Sequence, residues 1–448
     1  MVRLESSAGM TEPETSSTPA DEPLLVEPPA GDSPARVRLF NRDFVLLWQG
    51  QLVSRMGSQA MTIAMMFWTM EATGSATLMG AMMMVGTLPA VILGPLAGTL
   101  ADRVSRKWIL VFCDAGSGLV LLGLAVPFFL PDTAQQVLIS CLLGMALLVG
   151  ALQAFFLPAS TALIPDLVPK EKLASANGLD QGSLQLSTLV GQSVGGVLYN
   201  LLGAPVLFVI DGVSYLFSAV SESFIRVKPQ AEPQESGAAA RSAYREDLIE
   251  GLRYVWNRRG MRDFLLLAAI VNFFAMPILV LLPFLVSDNL GKGAEWYGFL
   301  LAGFGGGALV GYAAAGGLKL SSEYRATALL SMLVAQSCLL AGLGFVYRPW
   351  LALTIMIGVG ALNGFFNIIL TTAFQMGSDE SLRGRVMGVV MTVTMAIAPL
   401  GMALGGILGD LTDKNLPLIF GLCGALIVVA TLVLGLRRPV REFLAFSG

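Results

Sequence analysis

The sequence predicts an all-α membrane protein, with twelve transmembrane helices in two pseudo-symmetric six-helix bundles. Three observations lead there. Of 448 residues, 55% are hydrophobic and only 13% charged, with a mean hydropathy of +0.71. That is too little charge for an ordinary soluble domain. Apolar stretches recur along the chain, each long enough to cross a bilayer core, which takes about 20 helical residues. The two halves also repeat at a fixed offset of 210 residues.

Residues 1–40 carry six prolines and seven acidic residues. They read as a disordered cytoplasmic tail and not as a cleavable signal peptide. Twelve predicted segments follow, at 44–70, 77–101, 108–130, 135–160, 175–201, 205–226, 263–287, 294–318, 326–346, 349–375, 385–411 and 416–436. An even number places both termini on one side. With the tail cytoplasmic, the outer loops hold only Lys292, Arg348 and Lys414, and Arg55 lies within segment 1. The other 24 of 28 lysines and arginines then face the cytoplasm, as the positive-inside rule requires.

The longest internal polar stretch, 227–262, divides the segments six and six. The expected domains are therefore 41–226, a cytoplasmic linker 227–262, 263–438 and a cytoplasmic tail 439–448. Within the linker, Leu248, Ile249, Leu252, Val255 and Trp256 recur at helical spacing. Such a helix would lie on the membrane surface or pack on neighbouring helix ends. The repeat sets GQSVGGVL at 191–198 against GMALGGIL at 401–408. In the same register Gly178 meets Gly388, and Gln153-Ala-Phe-Phe meets Asn363-Gly-Phe-Phe. Three matches in one register argue for duplication.

Between segments 2 and 3 the chain reads GPLAGTLADRVSRK. Gly94 and Gly98 would let another helix approach closely. Asp102 lies one turn beyond Gly98, and Arg103, Arg106 and Lys107 then mark the membrane surface. This string resembles the signature loop of the major facilitator superfamily of transporters, with Ser105 in place of its second glycine. The resemblance implies the major facilitator fold and a gating role for Gly94, Gly98, Asp102, Arg103, Arg106 and Lys107. In it, Asp102 would face the N-terminus of segment 11, the favourable end of the helix dipole.

Three further stretches, QAFFLPASTALIPDLVPKEKLASANGL, EGLRYVWNRRGMRDFLLL and QMGSDESLRGRVMGVV, resemble the branch with enterobactin-type siderophore exporters and macrolide or multidrug efflux pumps. Segment 5 is similar to the glycine-rich signature of the antiporters, through Gly178, Gly191, Gly195 and Gly196. Ser187 stands at another of its glycines and Gln192 at its proline. Small residues on one face would let segment 5 seal against a helix of the other half.

The superfamily's cavity is lined by helices 1, 4, 7 and 10. Segment 1 shows Gln51, Arg55, Ser58, Gln59 and Thr62 at spacings of three and four, one helix face. Arg55 lies about 16 Å into the helix, where a charge needs a partner. Gln153, Asn272, Asn363, Asn367 and Thr371 are the other candidate cavity residues, and nearby phenylalanines would supply apolar wall. Histidine is absent, so a proton would travel on carboxyl groups. Asp114, Asp180 and Asp211 are the coupling candidates, and Glu222 lies near the same spans.

These readings imply a secondary active exporter of amphipathic organic compounds, driven by proton influx, in the plasma membrane. The alternative is a facilitator or importer of a small polar nutrient. An enzyme is disfavoured, with no histidine and no Ser, Cys or metal constellation. Cys113, Cys141, Cys338 and Cys423 lie far apart within apolar segments and suit packing. No loop of the G-x-x-x-x-G-K type exists. The expected partners are a small-molecule substrate, protons and lipid, with no cofactor, no metal, no nucleic acid and a monomeric state.

Overall fold

The computed structural model describes residues 39–101, 104–227, 237–317 and 322–445. The expected tail 1–40 lies outside them, apart from Leu39 and Phe40. So do residues 228–236 of the expected linker 227–262. All regular structure among the described residues is helical. The helices are α1 (Arg42–Thr73), α2 (Ala76–Ala101), α3 (Arg106–Ala125), α4 (Gln135–Leu167), α5 (Leu173–Ser223), α6 (Gly237–Asn257), α7 (Arg259–Phe284), α8 (Ala294–Gly317), α9 (Ser322–Leu343), α10 (Pro349–Met376), α11 (Arg383–Leu411), α12 (Leu416–Ala430) and α13 (Arg438–Ala445).

Ten helical stretches among the described residues are long and apolar enough to cross a membrane. One of them, Lys170–Ser223, runs for 54 residues. At about 1.5 Å per residue that is far more than a bilayer core needs. Gly203 breaks it, at φ 75° and ψ 169°. A side chain resists that φ, and glycine does not. Pro205 opens the second arm at a position where its missing N–H costs little. The segments expected at 175–201 and 205–226 thus meet at a corner without a loop. α1 is absent from the ten, and its polar face of Gln51, Arg55, Ser58 and Thr62 accounts for its low hydropathy.

Hydrogen bonds sort the helix ends into two faces. On one, Asn41 Nδ2 at the start of α1 donates to Leu167 O at the end of α4, at 2.7 Å. Arg437, beyond α12, pairs with Asp263 of α7 at 3.2 Å. This terminal face holds both ends of the described chain. On the opposite, distal face, Gln135 Nε2 at the start of α4 donates to Ala72 O of α1 at 2.5 Å. There too, the start of α2 is capped from α11. Ala76 N and Thr77 N each donate to the Asp410 carboxylate at 2.9 Å, and Ser75 Oγ donates at 2.8 Å. A carboxylate at a helix N-terminus meets both unpaired N–H groups and the positive end of the dipole.

The linker helix α6 packs on α11. Val255 is buried and a methyl on Gly251 would strike Arg385 O at 2.8 Å. Ile249, Leu252 and Trp256 stay exposed.

Candidate functional site

Most of the candidate residues lie on α1–α5, while Asn272 lies on α7 and Asn363, Asn367 and Thr371 lie on α10. Gln51, Ser54, Gly57 and Ser58 lie on one face of α1, against Asp211, Ser214, Tyr215, Ser218 and Glu222 on the second arm of α5. Glycine makes the approach possible. A Cβ on Gly57 would lie 2.6 Å from Asp211 Oδ1, and one on Gly50 would lie 3.0 Å from Ser218 Oγ. Gln51 Nε2 donates to Glu222 Oε1 at 2.8 Å. Ser58 Oγ lies 2.9 Å from Tyr215 OH and 3.3 Å from Asp211 Oδ1. Ser214 Oγ lies 3.2 Å from Asp211 Oδ1.

Asp114 enters this cluster from α3. Asp114 is 1% exposed, and Asp211 and Glu222 are 0% exposed. Both Asp114 oxygens, Asp211 Oδ2 and Glu222 Oε2 are buried without a hydrogen-bond partner. Buried polar atoms are almost always paired, so each exception calls for an account. Asp180 is separate. It pairs with Arg55 Nη1 at 2.9 Å, both side chains being 17% exposed. Arg55 also reaches Asp180 O and Ser183 Oγ, each at 3.3 Å. Arg55 and Asp180 therefore join α1 to the first arm of α5.

The rest of the α1 stripe divides. Gln51 is buried in the acid cluster, which removes it from the cavity wall expected for it: its amide is spent on Glu222. Gln59 Oε1 accepts from Gln192 Nε2 at 3.0 Å. Thr62 is exposed and lines a cavity with Ser58, Gln153 and Tyr215. Gln153 Nε2 donates to Tyr215 OH at 3.3 Å. In the carboxy-terminal half, Asn367 Nδ2 donates to Asn363 Oδ1 at 3.0 Å and Thr371 Oγ1 to Asn367 O at 2.9 Å. These bonds stay within α10. Asn272 sits half-buried on α7.

The family profile of transmembrane secretion effectors, within the major facilitator superfamily, matches residues 34–446. The chain belongs to this family. It is similar to macrolide efflux protein A of Streptococcus pyogenes, 25% identical over 409 residues, covering 89% of this chain and 96% of that one. It is also similar to the multidrug efflux pump Tap of Mycobacterium tuberculosis, 25% identical over 406 residues, covering 88% and 93%. Among solved structures, the fold resembles an inward-facing, unoccupied bacterial homolog of the human lysosomal transporter Spinster. That match has a TM-score of 0.66 at 15% identity and covers 90% of this chain and 96% of that one. The nucleoside transporter NupG matches with a TM-score of 0.67 at 14% identity, covering 88% and 99%.

Glycines mark where helices before the linker cross helices after it. A methyl on Gly196 would collide with the Ala294 carbonyl of α8, and one on Gly298 with the Gln192 carbonyl of α5. A methyl on Gly406 would lie 2.5 Å from Ala76 O of α2, and one on Gly80 2.5 Å from Met402 O of α11. Both crossings lie toward the distal face. Toward the terminal face, Gly94, Gly98, Gly178, Gly182, Gly384 and Gly388 have no atom within 4 Å of where a side chain would begin. Close backbone crossings thus join α2 to α11 and α5 to α8 toward the distal face, and these six glycines make none toward the terminal face.

The seal expected from four glycines of segment 5 narrows to Gly196. Gly195 faces Ala60 of α1 and Gly191 faces Gln59, both in their own half, while Gly178 stands in open space. Adjacent helix positions point about 100° apart, so one helix cannot turn all four to one neighbour.

Of the expected gating loop, Asp102 and Arg103 lie outside the described residues. Arg106 Nη1 pairs with Asp166 Oδ2 at 2.8 Å and donates to Ala162 O at 2.9 Å, tying α3 to α4. Lys107 Nζ sits 5.1 Å from the Trp108 ring centroid.

Proposed function

We propose that this transporter is a proton-coupled exporter of amphipathic organic compounds, working by alternating access in the plasma membrane. The observation that carries this reading is the acid cluster. Three buried carboxyl groups share one polar seam, and four of their oxygens lack a hydrogen-bond partner. Acids that water reaches in one conformation and not in another are what a proton-driven carrier needs. The efflux pumps among the relatives support export.

The proposed topology has twelve spans: α1, the two arms of α5, and the nine other apolar helices. They form two six-helix bundles with cytoplasmic termini, joined by the linker that carries α6. The repeat supports the duplication. Gly195 packs on α1 of its own half and Gly196 on α8 of the other. At the matching positions, Gly405 packs on Pro277 of α7 and Gly406 on Ala76 of α2. With cytoplasmic termini, the state described is inward-open. Arg55 with Asp180, and Gln153, Thr62, Asn272, Asn363, Asn367 and Thr371, are proposed to bound the route between the bundles.

The test is transport in liposomes under an imposed pH gradient, with dyes, macrolides, siderophores and polar nutrients offered in turn. The reading expects gradient-driven movement of amphipathic compounds, lost in Asp114→Asn and Asp211→Asn. Gradient-independent movement of a polar nutrient, unchanged in both variants, overturns it.

A further inference from the structure

The start of α2 is held by a helix from the other side of the linker. Asp410, on the last turn of α11, accepts from three donors there. Ala76 N donates to Oδ1 at 2.9 Å, Thr77 N to Oδ2 at 2.9 Å and Ser75 Oγ to Oδ2 at 2.8 Å. All three donors are uncharged, so the contact is a helix cap and not a salt bridge. Lys414, four residues on, sits 5.2 Å from the Phe284 ring centroid.

α2 has a cap of its own. Ser75 Oγ accepts from Leu78 N at 3.1 Å, the usual N-cap bond within one helix. Removing Asp410 therefore leaves the helix capped. What the carboxylate adds is a hold between two helices, strengthened by the positive end of the α2 dipole. The contact beneath it has no slack. A Cβ on Gly406 would lie 2.5 Å from Ala76 O, and one on Gly409 2.6 Å from Ala76 Cβ. Thr77 Oγ1 donates to Gly406 O at 3.3 Å. A cap between neighbours in one bundle would survive any movement between bundles. This one lasts only while the start of α2 lies against the end of α11. Asp410 is half-buried, so water can replace its partners when the helices part, and the hold is reversible. The other distal crossing, α5 on α8, is bridged side chain to side chain, with Asn200 Nδ2 donating to Glu295 Oε2.

We propose that Asp410 is the releasable latch of the distal gate, a positioning residue whose carboxylate, docked on the N-terminus of α2, sets how much of the protein is closed at that end. The proposal rests on the alternating-access part of the reading above.

The test reads both ends of the full chain in nanodiscs, with the native Cys113, Cys141, Cys338 and Cys423 replaced by alanine. Ala294→Cys reports the α5–α8 crossing, where Ala294 is 1% exposed and its carbonyl abuts Gly196. Gly388→Cys reports the terminal end, where no atom lies within 4 Å of a side chain's first carbon. Maleimide labelling rates are compared. Asp410→Ala should speed labelling at Ala294→Cys by about tenfold, within the range for a lost N-cap, and slow it at Gly388→Cys, because the two ends open in turn. Asp410→Asn keeps one acceptor oxygen and should fall between. Thr77→Pro removes a donor on the partner helix, in a first turn that tolerates proline. It should speed distal labelling by about threefold, the size of one hydrogen bond, and add nothing to Asp410→Ala, as members of one interaction do. Unchanged distal labelling in Asp410→Ala overturns the proposal. So does a distal rise without a fall at Gly388→Cys, which is loosening of the fold, and so does a Thr77→Pro effect that adds in full. Labelling needs neither substrate nor gradient, so the two readings fail separately. The expected labelling in a protein that moves no compound under a pH gradient keeps the latch and removes the exporter reading. Gradient-driven export with labelling unchanged in Asp410→Ala does the reverse.

Discussion

The helices before and after the linker differ in what they bury. In the amino-terminal half, Asp114, Asp211, Glu222, Gln51, Ser54, Ser214 and Ser218 form a polar seam in the interior. In the carboxy-terminal half the buried side chains are mostly apolar and aromatic, with Gln336, Ser337 and Thr431 as buried polar residues on its helices. The Phe264 ring centroid lies 5.8 Å from Phe374 and 6.1 Å from Phe366. The buried acid of that half among the described residues is Asp263, at the terminal face, held by Arg262 at 3.0 Å and Arg437 at 3.2 Å. Yet Gly195 and Gly196 make the contacts that Gly405 and Gly406 make. Close helix crossings constrain both copies alike, because a methyl there meets backbone. The chemistry is free to differ.

The largest effect that tests this contrast is expected at the acids. Asp114→Asn and Asp211→Asn should each reduce gradient-driven accumulation to background, while Asn367→Ala on α10 should change it by about twofold, as ordinary substitutions away from buried charges do. Comparable losses in both halves would break the contrast. The crossings should instead respond symmetrically. Gly196→Leu and Gly406→Leu should each destabilise the distal closure by about 1–3 kcal/mol, the cost of overpacking. Accessibility of cysteine reporters from the distal side would show it, and an effect in one alone would end the equivalence. Gly98→Val should be milder: it meets open space here, so ligand binding from the terminal side stays near wild type while turnover falls. The smallest effect is expected at Arg55→Gln, which leaves Asp180 partly exposed and thus partly solvated. Exchange should persist with accumulation reduced. Loss of binding would move Arg55 into the ligand site.

Much of the fold was legible because hydrocarbon leaves few choices: apolar length and basic-residue placement decide most spans. α1 was recognisable even though Arg55 and its polar stripe dilute its hydropathy. The partner of Arg55 was one of three candidate acids, since sequence cannot show which helix face turns inward. The seam was only half visible. Asp114, Asp211 and Glu222 drew notice as charges, but Ser54, Ser214, Ser218 and Tyr215 look like ordinary helix residues. A usable signal was present in Gly50 and Gly57, seven apart on α1, where α5 comes near. The cap of Asp410 on α2 joins residues more than 300 positions apart, beyond any local pattern.

The corner at Gly203 has a mechanical consequence. One arm of α5 carries Gly196 at the crossing with α8, and the other carries Asp211, eight residues past the bend. Most neighbouring spans in such proteins are joined by loops, which absorb displacement. Here two helices meet with no slack between them. When the distal crossing parts, the first arm cannot tilt without levering the second. A parting of the distal crossing would thereby reach the acid seam as torque, through the chain itself.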